Sequence, residues 1–252
     1  MLLIKNATRD RKPKFVPVIF HNLSGYDAHL FVKSLGSEND ANIDCIPSTE
    51  EQYISFSKGI YDGENGNKKF KCKIRFVDSF KFMSTRLDKF VGNLNGNGEK
   101  NQFKHIKQAF NDKQCEFLAN KGVFPYDRFD SFERLSETKL PEKEAFYSML
   151  NDSDISNEDY ERAQKVWKHF DMKTMRDYHD LYLKTDVLLL AEVFENFRSV
   201  CKSNYDLDRC WYLTAPGLEF DSCLKKTGVK HELLNDPDML LMIKKVYVEE
   251  SQ

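Results

Sequence analysis

Apolar and polar positions follow a period of two along the first third of the chain and a helical period over the remainder. The apolar, β-branched run 15–22 predicts a buried strand. Further strands are predicted over 43–49 and 52–61, and an Asn-Gly pair within 63–67 predicts a hairpin turn. Residues 68–83 alternate between apolar and basic side chains, which predicts a strand with one apolar face and one basic face.

The second half of the chain has the spacing of helices. A long helix is predicted over 175–203, and Ser156 with Asp159 resembles a capping box that opens a helix over 158–169. A β-rich first third followed by helices predicts an α/β or α+β fold. Shorter helices are predicted over 26–35, 86–94, 101–120, 216–228 and 237–249.

Composition narrows the class of protein. The 252 residues suit one large domain or two small ones, and 40% hydrophobic content is enough for a packed core. A net charge of −2 excludes a polybasic nucleic-acid binder, so charge has to be judged locally.

The six cysteines form no Cys-x-x-Cys pair, which predicts reduced thiols in an intracellular protein. No targeting segment distinguishes nucleus, cytoplasm and mitochondrion, and no membrane partner is expected because no apolar run approaches the ~18 residues of a span.

The first candidate site is the segment HNLSGYD, where Asp27 follows the predicted strand 15–22. A carboxylate at a strand end is where α/β folds place ligand groups. The alternative is that Asn22, Ser24 and Asp27 only make the turn and cap the following helix. Spacing alone leaves both interpretations open.

The second candidate site is the segment YLKTD, in which Tyr182 and Asp186 share one helical face. An aspartate beside an apolar segment is half-buried and needs a cation, a donor or water. Mg²⁺ or Mn²⁺ is one solution, with Tyr182 orienting a water nearby. The alternative is that Asp186 caps or forms a salt bridge while Tyr182 packs. Two aspartates and a tyrosine are a partial outline of a two-metal phosphodiesterase, which normally uses four carboxylates.

The order and spacing of these motifs resemble the protein-primed family B DNA polymerases of transposons, linear plasmids and related viruses. HNLSGYD is similar to the second exonuclease motif of that family, and YLKTD is similar to the third. The segments IRFVDSFKFM, KGVFPY and WYLTAPGLEF extend the resemblance from about Phe15 to Lys245.

The resemblance implies an α/β, ribonuclease-H-like 3′→5′ exonuclease fold over 15–205. A basic segment, 1–14, would precede it, and 206–252 would form a helical connection toward a polymerase palm domain. Asp27 and Asp186 would be catalytic carboxylates that hold Mg²⁺ or Mn²⁺.

The resemblance also implies which residues meet DNA. Tyr182 would orient the attacking water. Single-stranded DNA or a primer terminus would be the partner, and a terminal priming protein a second one. The residues at matching positions are Asn22, Ser79, Phe80 and Lys121. Ser79 also falls on the predicted basic face of the strand, if that strand runs unbroken.

Two departures from the family pattern change the expected activity. The first exonuclease motif, Asp-x-Glu, does not precede Asp27, and the polymerase signatures are missing. We therefore expect an internal piece of a DNA-directed DNA polymerase, derived from a replication protein, with no polymerase activity and weak or no nuclease activity. The alternative function is a non-catalytic single-stranded DNA-binding module that also uses Lys71 and Lys73.

Overall fold

One mixed sheet forms the N-terminal part of the protein. The structure is a computed structural model that describes residues 15–24, 27–37, 43–49, 52–62, 69–96, 103–230 and 236–249. Within these residues the strands are β1 (Phe15–Phe20), β2 (Ile43–Pro47), β3 (Tyr53–Asp62) and β4 (Lys69–Asp78). They lie in the order β1-β4-β3-β2, with β1 parallel to β4 and the other pairs antiparallel. The predicted strands are confirmed, whereas the predicted basic segment 1–14 and turn 63–67 lie outside the described residues.

Helices make up most of the chain after the sheet, as the α/β prediction requires. The helices of the described ranges are α1 (Asp27–Ser37), α2 (Leu87–Gly96), α3 (Lys104–Ala109), α4 (Asp112–Leu118), α5 (Asn157–His169), α6 (Met175–Tyr205), α7 (Ala215–Thr227) and α8 (Pro237–Glu249). None of the helices in the described part of the chain is both long and apolar enough to cross a membrane.

The prediction of one helix over 101–120 is wrong, because α3 and α4 are separate. Phe110 is extended, and Asn111 starts α4 with a capping box: its side chain accepts a hydrogen bond from the Gln114 backbone, and the Gln114 side chain accepts one from Asn111. Two short helices therefore replace the single predicted one.

The long helix α6 was predicted almost residue for residue and organises the core. Its N-terminus is fixed by a capping box between Thr174 and Asp177. Leu189, Val193 and Phe194 of α6 pack with residues of α2, α3 and α4, and Ile19 of β1 contacts this cluster. The opposite face of the sheet packs on α1 through another cluster, which contains Leu23, Ala28, Phe56 and Phe76. The core therefore fixes the position of α6 relative to β1.

The period-two prediction for residues 68–83 is wrong at both ends of β4. Phe70 was assigned to the buried face but is 53% exposed, because it lies beside Tyr61 at the far end of the β3–β4 pair. At the other end the strand stops at Asp78, whose carboxylate caps a 3-10 turn over Ser79–Lys81. Ser79 is completely buried, so its predicted position on a basic solvent face is also wrong.

Candidate functional site

A single buried carboxylate at the end of β4 fixes the loop that follows β1. Phe20 of β1 lies opposite Asp78, so the two parallel strands end at the same edge of the sheet. One Asp78 oxygen accepts hydrogen bonds from the backbone N–H groups of Asn22 (2.8 Å) and Phe80 (2.9 Å). The other accepts from the backbone N–H (3.1 Å) and hydroxyl (2.9 Å) of Ser24. Sequence reasoning missed Asp78, because the strand was predicted to continue through this residue to position 83.

Asn22 and Ser24 therefore do make a turn, in agreement with one of the two interpretations of the HNLSGYD segment. Asn22 has a φ of 67°, a left-handed conformation that asparagine adopts more readily than most residues, and its side chain is exposed. Asp27 is the exposed first residue of α1. Residues 25 and 26, which connect this turn to α1, lie outside the described part of the chain.

His21, which the sequence analysis also missed, links this loop to the turn after β4. Its Nε2 lies 3.0 Å from the Thr85 carbonyl oxygen, and its Nδ1 lies 2.9 Å from the Ser79 hydroxyl. A carbonyl oxygen only accepts, so Nε2 carries the proton, and in the neutral ring Nδ1 accepts from Ser79. Burial lowers the pKa of His21. The hydrogen bond to Thr85 and the charge of Asp78 oppose this shift, while Lys121 adds to it.

Lys121 and Asp186 form a partly buried ion pair. The Lys121 ammonium lies 3.3 Å from Asp186 Oδ2, and the two side chains are 33% and 23% exposed. Asp186 Oδ1 is buried and has no hydrogen-bond partner among the described residues. The charge of Lys121 also contributes, as the smallest of the causes, to the lowered pKa of His21.

The loop that carries Lys121 is held by two side chains from the helical layer. Arg162 of α5 donates a hydrogen bond of 2.8 Å to the Lys121 carbonyl oxygen. Tyr178 of α6 donates one of 2.7 Å to the Val123 carbonyl oxygen. A β-carbon added at Gly122 would lie 3.2 Å from the Tyr182 ring, so a larger residue here would require that ring to move by a few tenths of an ångström. The position of Lys121 is thus set by contacts that are distant in sequence.

Tyr182 lies one turn before Asp186 on α6 and is part of an aromatic cluster. Its hydroxyl is 2.7 Å from that of Tyr126, which sequence reasoning missed, and the ring of Phe124 packs beside both. Burial raises the pKa of Tyr182, and the charge of Asp186 and the hydrogen bond to Tyr126 raise it further. Tyr182 is therefore a protonated phenol at neutral pH, able to orient a water or a phosphate but unsuited to act as a base.

The structure separates the predicted basic residues of β4 from this edge. Lys71 and Lys73 precede Asp78 by seven and five residues, which at ~3.3 Å per residue places them roughly 15–25 Å from the strand end. Lys73 forms an ion pair with Asp44. These two lysines therefore lie away from Asn22, Ser79 and Phe80, which are at the strand ends.

The described carboxylates fit part of a cation site. Asp186 Oδ1 is the kind of unpartnered oxygen that Mg²⁺ or Mn²⁺ would take. Glu192, a buried acid of α6, is already bonded to the Ile106 backbone N–H at 3.0 Å and caps α3. No group of three or more His, Cys, Asp or Glu side chains within the described ranges could hold a metal. The convergence of Asp27 with Asp186 stays a prediction, so no reaction step is assigned to a metal.

The sequence model of the family described as DNA polymerase type B, organellar and viral, matches residues 7–246. Searches of characterised proteins and of solved structures returned no significant match.

Proposed function

Because the chain belongs to the organellar and viral type B DNA polymerases, we propose that it is the 3′→5′ exonuclease region of a protein-primed member of that family. Its ligand is the 3′ end of single-stranded DNA. In this proposal the end contacts the loop after β1, the loop of Lys121 and the Tyr182 turn of α6. Because such a polymerase is primed by a protein, a terminal priming protein would be the partner of the whole polymerase.

The ion pair between Lys121 and Asp186 beside Tyr182 is the observation that carries this proposal. An ammonium group at this edge suits a phosphate oxygen. The ring of Phe80, which lies edge-on to His21 with 5.4 Å between centroids, offers an aromatic surface on which an unpaired base can stack. The exposed amide of Asn22 adds a hydrogen-bonding group on the same side.

The isolated chain is expected to cleave DNA slowly, because it has only two candidate carboxylates for the metal ions. Two-metal hydrolysis needs cations that neutralise the attacking and leaving oxygens, and four carboxylates normally hold them. Asp186 contributes one such ligand and Asp27 is proposed as a second. With two carboxylates the chain would bind Mg²⁺ or Mn²⁺ weakly, and Tyr182 would orient water without efficient hydrolysis.

A second candidate function is a single-stranded DNA-binding module that does not recognise ends. The ammonium of Lys121 already neutralises much of the Asp186 charge, which favours binding of a phosphate over binding of a cation. This module would use Lys71 and Lys73 as well, and it would bind along a strand rather than at a terminus.

The two candidates differ in their response to a free 3′ end. We would compare binding of the full chain to a linear oligonucleotide and to a circular oligonucleotide of the same sequence, by fluorescence anisotropy in EDTA. The exonuclease region prefers the linear form and loses that preference in Lys121→Gln, whereas the alternative binds both forms equally. Lys173→Gln, at an exposed lysine just before α6, is the matched control. Absence of binding to either form contradicts both functions.

Cleavage is tested with the same linear oligonucleotide, labelled at its 5′ end, in Mg²⁺, Mn²⁺ or EDTA. Slow shortening from the 3′ end that requires metal and disappears in Asp186→Ala agrees with the exonuclease proposal. Rapid shortening that Asp186→Ala abolishes would show that the two carboxylates suffice, and the expectation of weak nuclease activity would be wrong.

A further inference from the structure

Asp78 joins two separate segments of the proposed DNA site. Its four hydrogen bonds come from the backbone N–H groups of Asn22, Ser24 and Phe80 and from the Ser24 hydroxyl. The first two residues belong to the loop after β1, and Phe80 belongs to the turn after β4. These segments are more than fifty residues apart in sequence, so one carboxylate determines their relative position.

The negative charge of Asp78 depends on these donors. The side chain is only 1% exposed, so water does not stabilise the carboxylate. The guanidinium of Arg209 interacts with the charge of Asp78, but it stacks on Phe82 and Phe194 at 3.9 and 4.2 Å and makes no hydrogen bond to Asp78. The backbone N–H groups of the two segments and the Ser24 hydroxyl are therefore the groups that satisfy the carboxylate.

The left-handed backbone at Asn22 needs such an anchor. A non-glycine residue with a positive φ is held in place by its surroundings, and here the surrounding group is the Asp78 oxygen 2.8 Å from the Asn22 nitrogen. Without that bond the loop is free to return to a commoner conformation, and the exposed Asn22 side chain would then point elsewhere.

We propose that Asp78 is a positioning residue that holds Asn22 and Phe80 in one arrangement, so that both contact the same single-stranded DNA end. The inference rests on the proposed function, because it assigns Asp78 no contact with DNA itself. Asp78 acts through Asn22 and Phe80, and its loss should remove their joint contribution to binding.

The variant Asp78→Asn isolates this role. Asparagine has nearly the same shape, but it has one acceptor oxygen, so its NH₂ group would face either the backbone N–H groups of Asn22 and Phe80 or the backbone N–H of Ser24. Asp208→Asn is the matched control, since Asp208 also caps a 3-10 turn, accepting from the Cys210 backbone N–H at 3.1 Å, and lies outside the proposed site. Thermal melts identify a temperature at which all variants are folded, and binding is measured there.

A double-mutant cycle with Asn22→Ala separates positioning from general destabilisation. We expect Asp78→Asn to weaken binding of a linear oligonucleotide roughly tenfold, because the substitution removes charge-assisted hydrogen bonds to one of the two segments. In that background Asn22→Ala should change the affinity less than about twofold, because its contribution is already lost. Additive effects of the two substitutions would overturn the inference, as would an equal loss of affinity in Asp208→Asn.

Amide hydrogen exchange gives a second readout that does not need DNA. Exchange at residues 21–24 and at Phe80 should rise in Asp78→Asn while exchange in the middle of α6 stays unchanged. If exchange at both segments is unaltered, Asp78 does not position them and the inference fails. If exchange rises but the wild-type chain binds no single-stranded DNA, Asp78 still holds the two segments, and it is the proposed function, with the DNA role of Asp78, that is wrong.

Discussion

The Lys121 ammonium lies 3.3 Å from one oxygen of Asp186, and the other oxygen of that carboxylate is buried without a partner. Sixty-five residues separate the two side chains, which meet because Arg162 and Tyr178 hold the Lys121 loop against α6. The pair places a positive charge where a phosphate of a DNA end would lie in the proposed site.

Lys121→Gln is expected to weaken binding of single-stranded DNA and to reduce its salt dependence. Removal of the ammonium loses one phosphate contact and leaves the Asp186 charge to repel the backbone. The slope of log affinity against log salt should fall by about 0.7, the value for one contact to a single strand. Lys173→Gln is the control, since Lys173 pairs with Asp171 at the exposed start of α6. An unchanged slope would remove Lys121 from the site.

Tyr126→Phe and Tyr182→Phe are expected to cost the same free energy of unfolding, because they delete the same hydrogen bond. Each should lower the free energy of unfolding by about 1 kcal/mol. The double variant should cost little more than either single one, since the bond is already absent. Urea unfolding of the four proteins measures this coupling. Additive losses would mean that the two hydroxyls do not depend on each other.

Stability should fall as the pH is lowered through the range in which His21 titrates. Burial lowers the pKa of folded His21 below 6.5, so the unfolded chain binds the proton first as the pH falls. The stabilisation is fully present above pH ~6.5 and is lost between that value and the lower folded pKa. His21→Gln keeps a donor for Thr85 and cannot titrate, so its urea midpoint should depend less on pH between 7.5 and 5.5. Equal pH dependence in both proteins would contradict this role of His21.

Arg209→Met is expected to leave the protein as stable as before or to stabilise it by about 1 kcal/mol. The guanidinium is completely buried, and none of its nitrogens has a hydrogen-bond partner in the described part of the chain. Burial lowers the pKa of Arg209 to about 10, which reflects the cost of holding this charge away from water. A methionine of similar length avoids that cost. A clear loss of stability in urea would show that stacking on Phe82 and Phe194 outweighs it.

Local sequence signals predicted the elements that depend on neighbouring residues. The capping pattern at Ser156 and the apolar period after Met175 predicted α5 and α6 almost to the residue, and the spacing of Tyr182 and Asp186 placed both on one face. These features depend on residues that are three or four positions apart, so a short segment of sequence is enough to reveal them.

The contacts that build the site could not be predicted in this way, because they join distant segments. Nothing in the sequence around Lys121 indicates Asp186 as its partner, and nothing around Asn22 indicates Asp78. Ser79 shows how a local capping interaction can end a predicted strand and change the position of a site residue. The carboxylate of Asp78 caps the next turn and ends the strand, so that the period-two pattern no longer applies and Ser79 is buried.

The position of a bound 3′ terminus tests the central claim most directly. An oligonucleotide with a photoreactive 4-thiothymidine at its 3′ end would be bound to the full chain and irradiated, and the crosslinked peptides identified by mass spectrometry. The account predicts crosslinks to residues 21–24, to Phe80 and to the loop 121–126, all reduced in Lys121→Gln. Crosslinks centred on Lys71 and Lys73, or spread evenly over the surface, would contradict it.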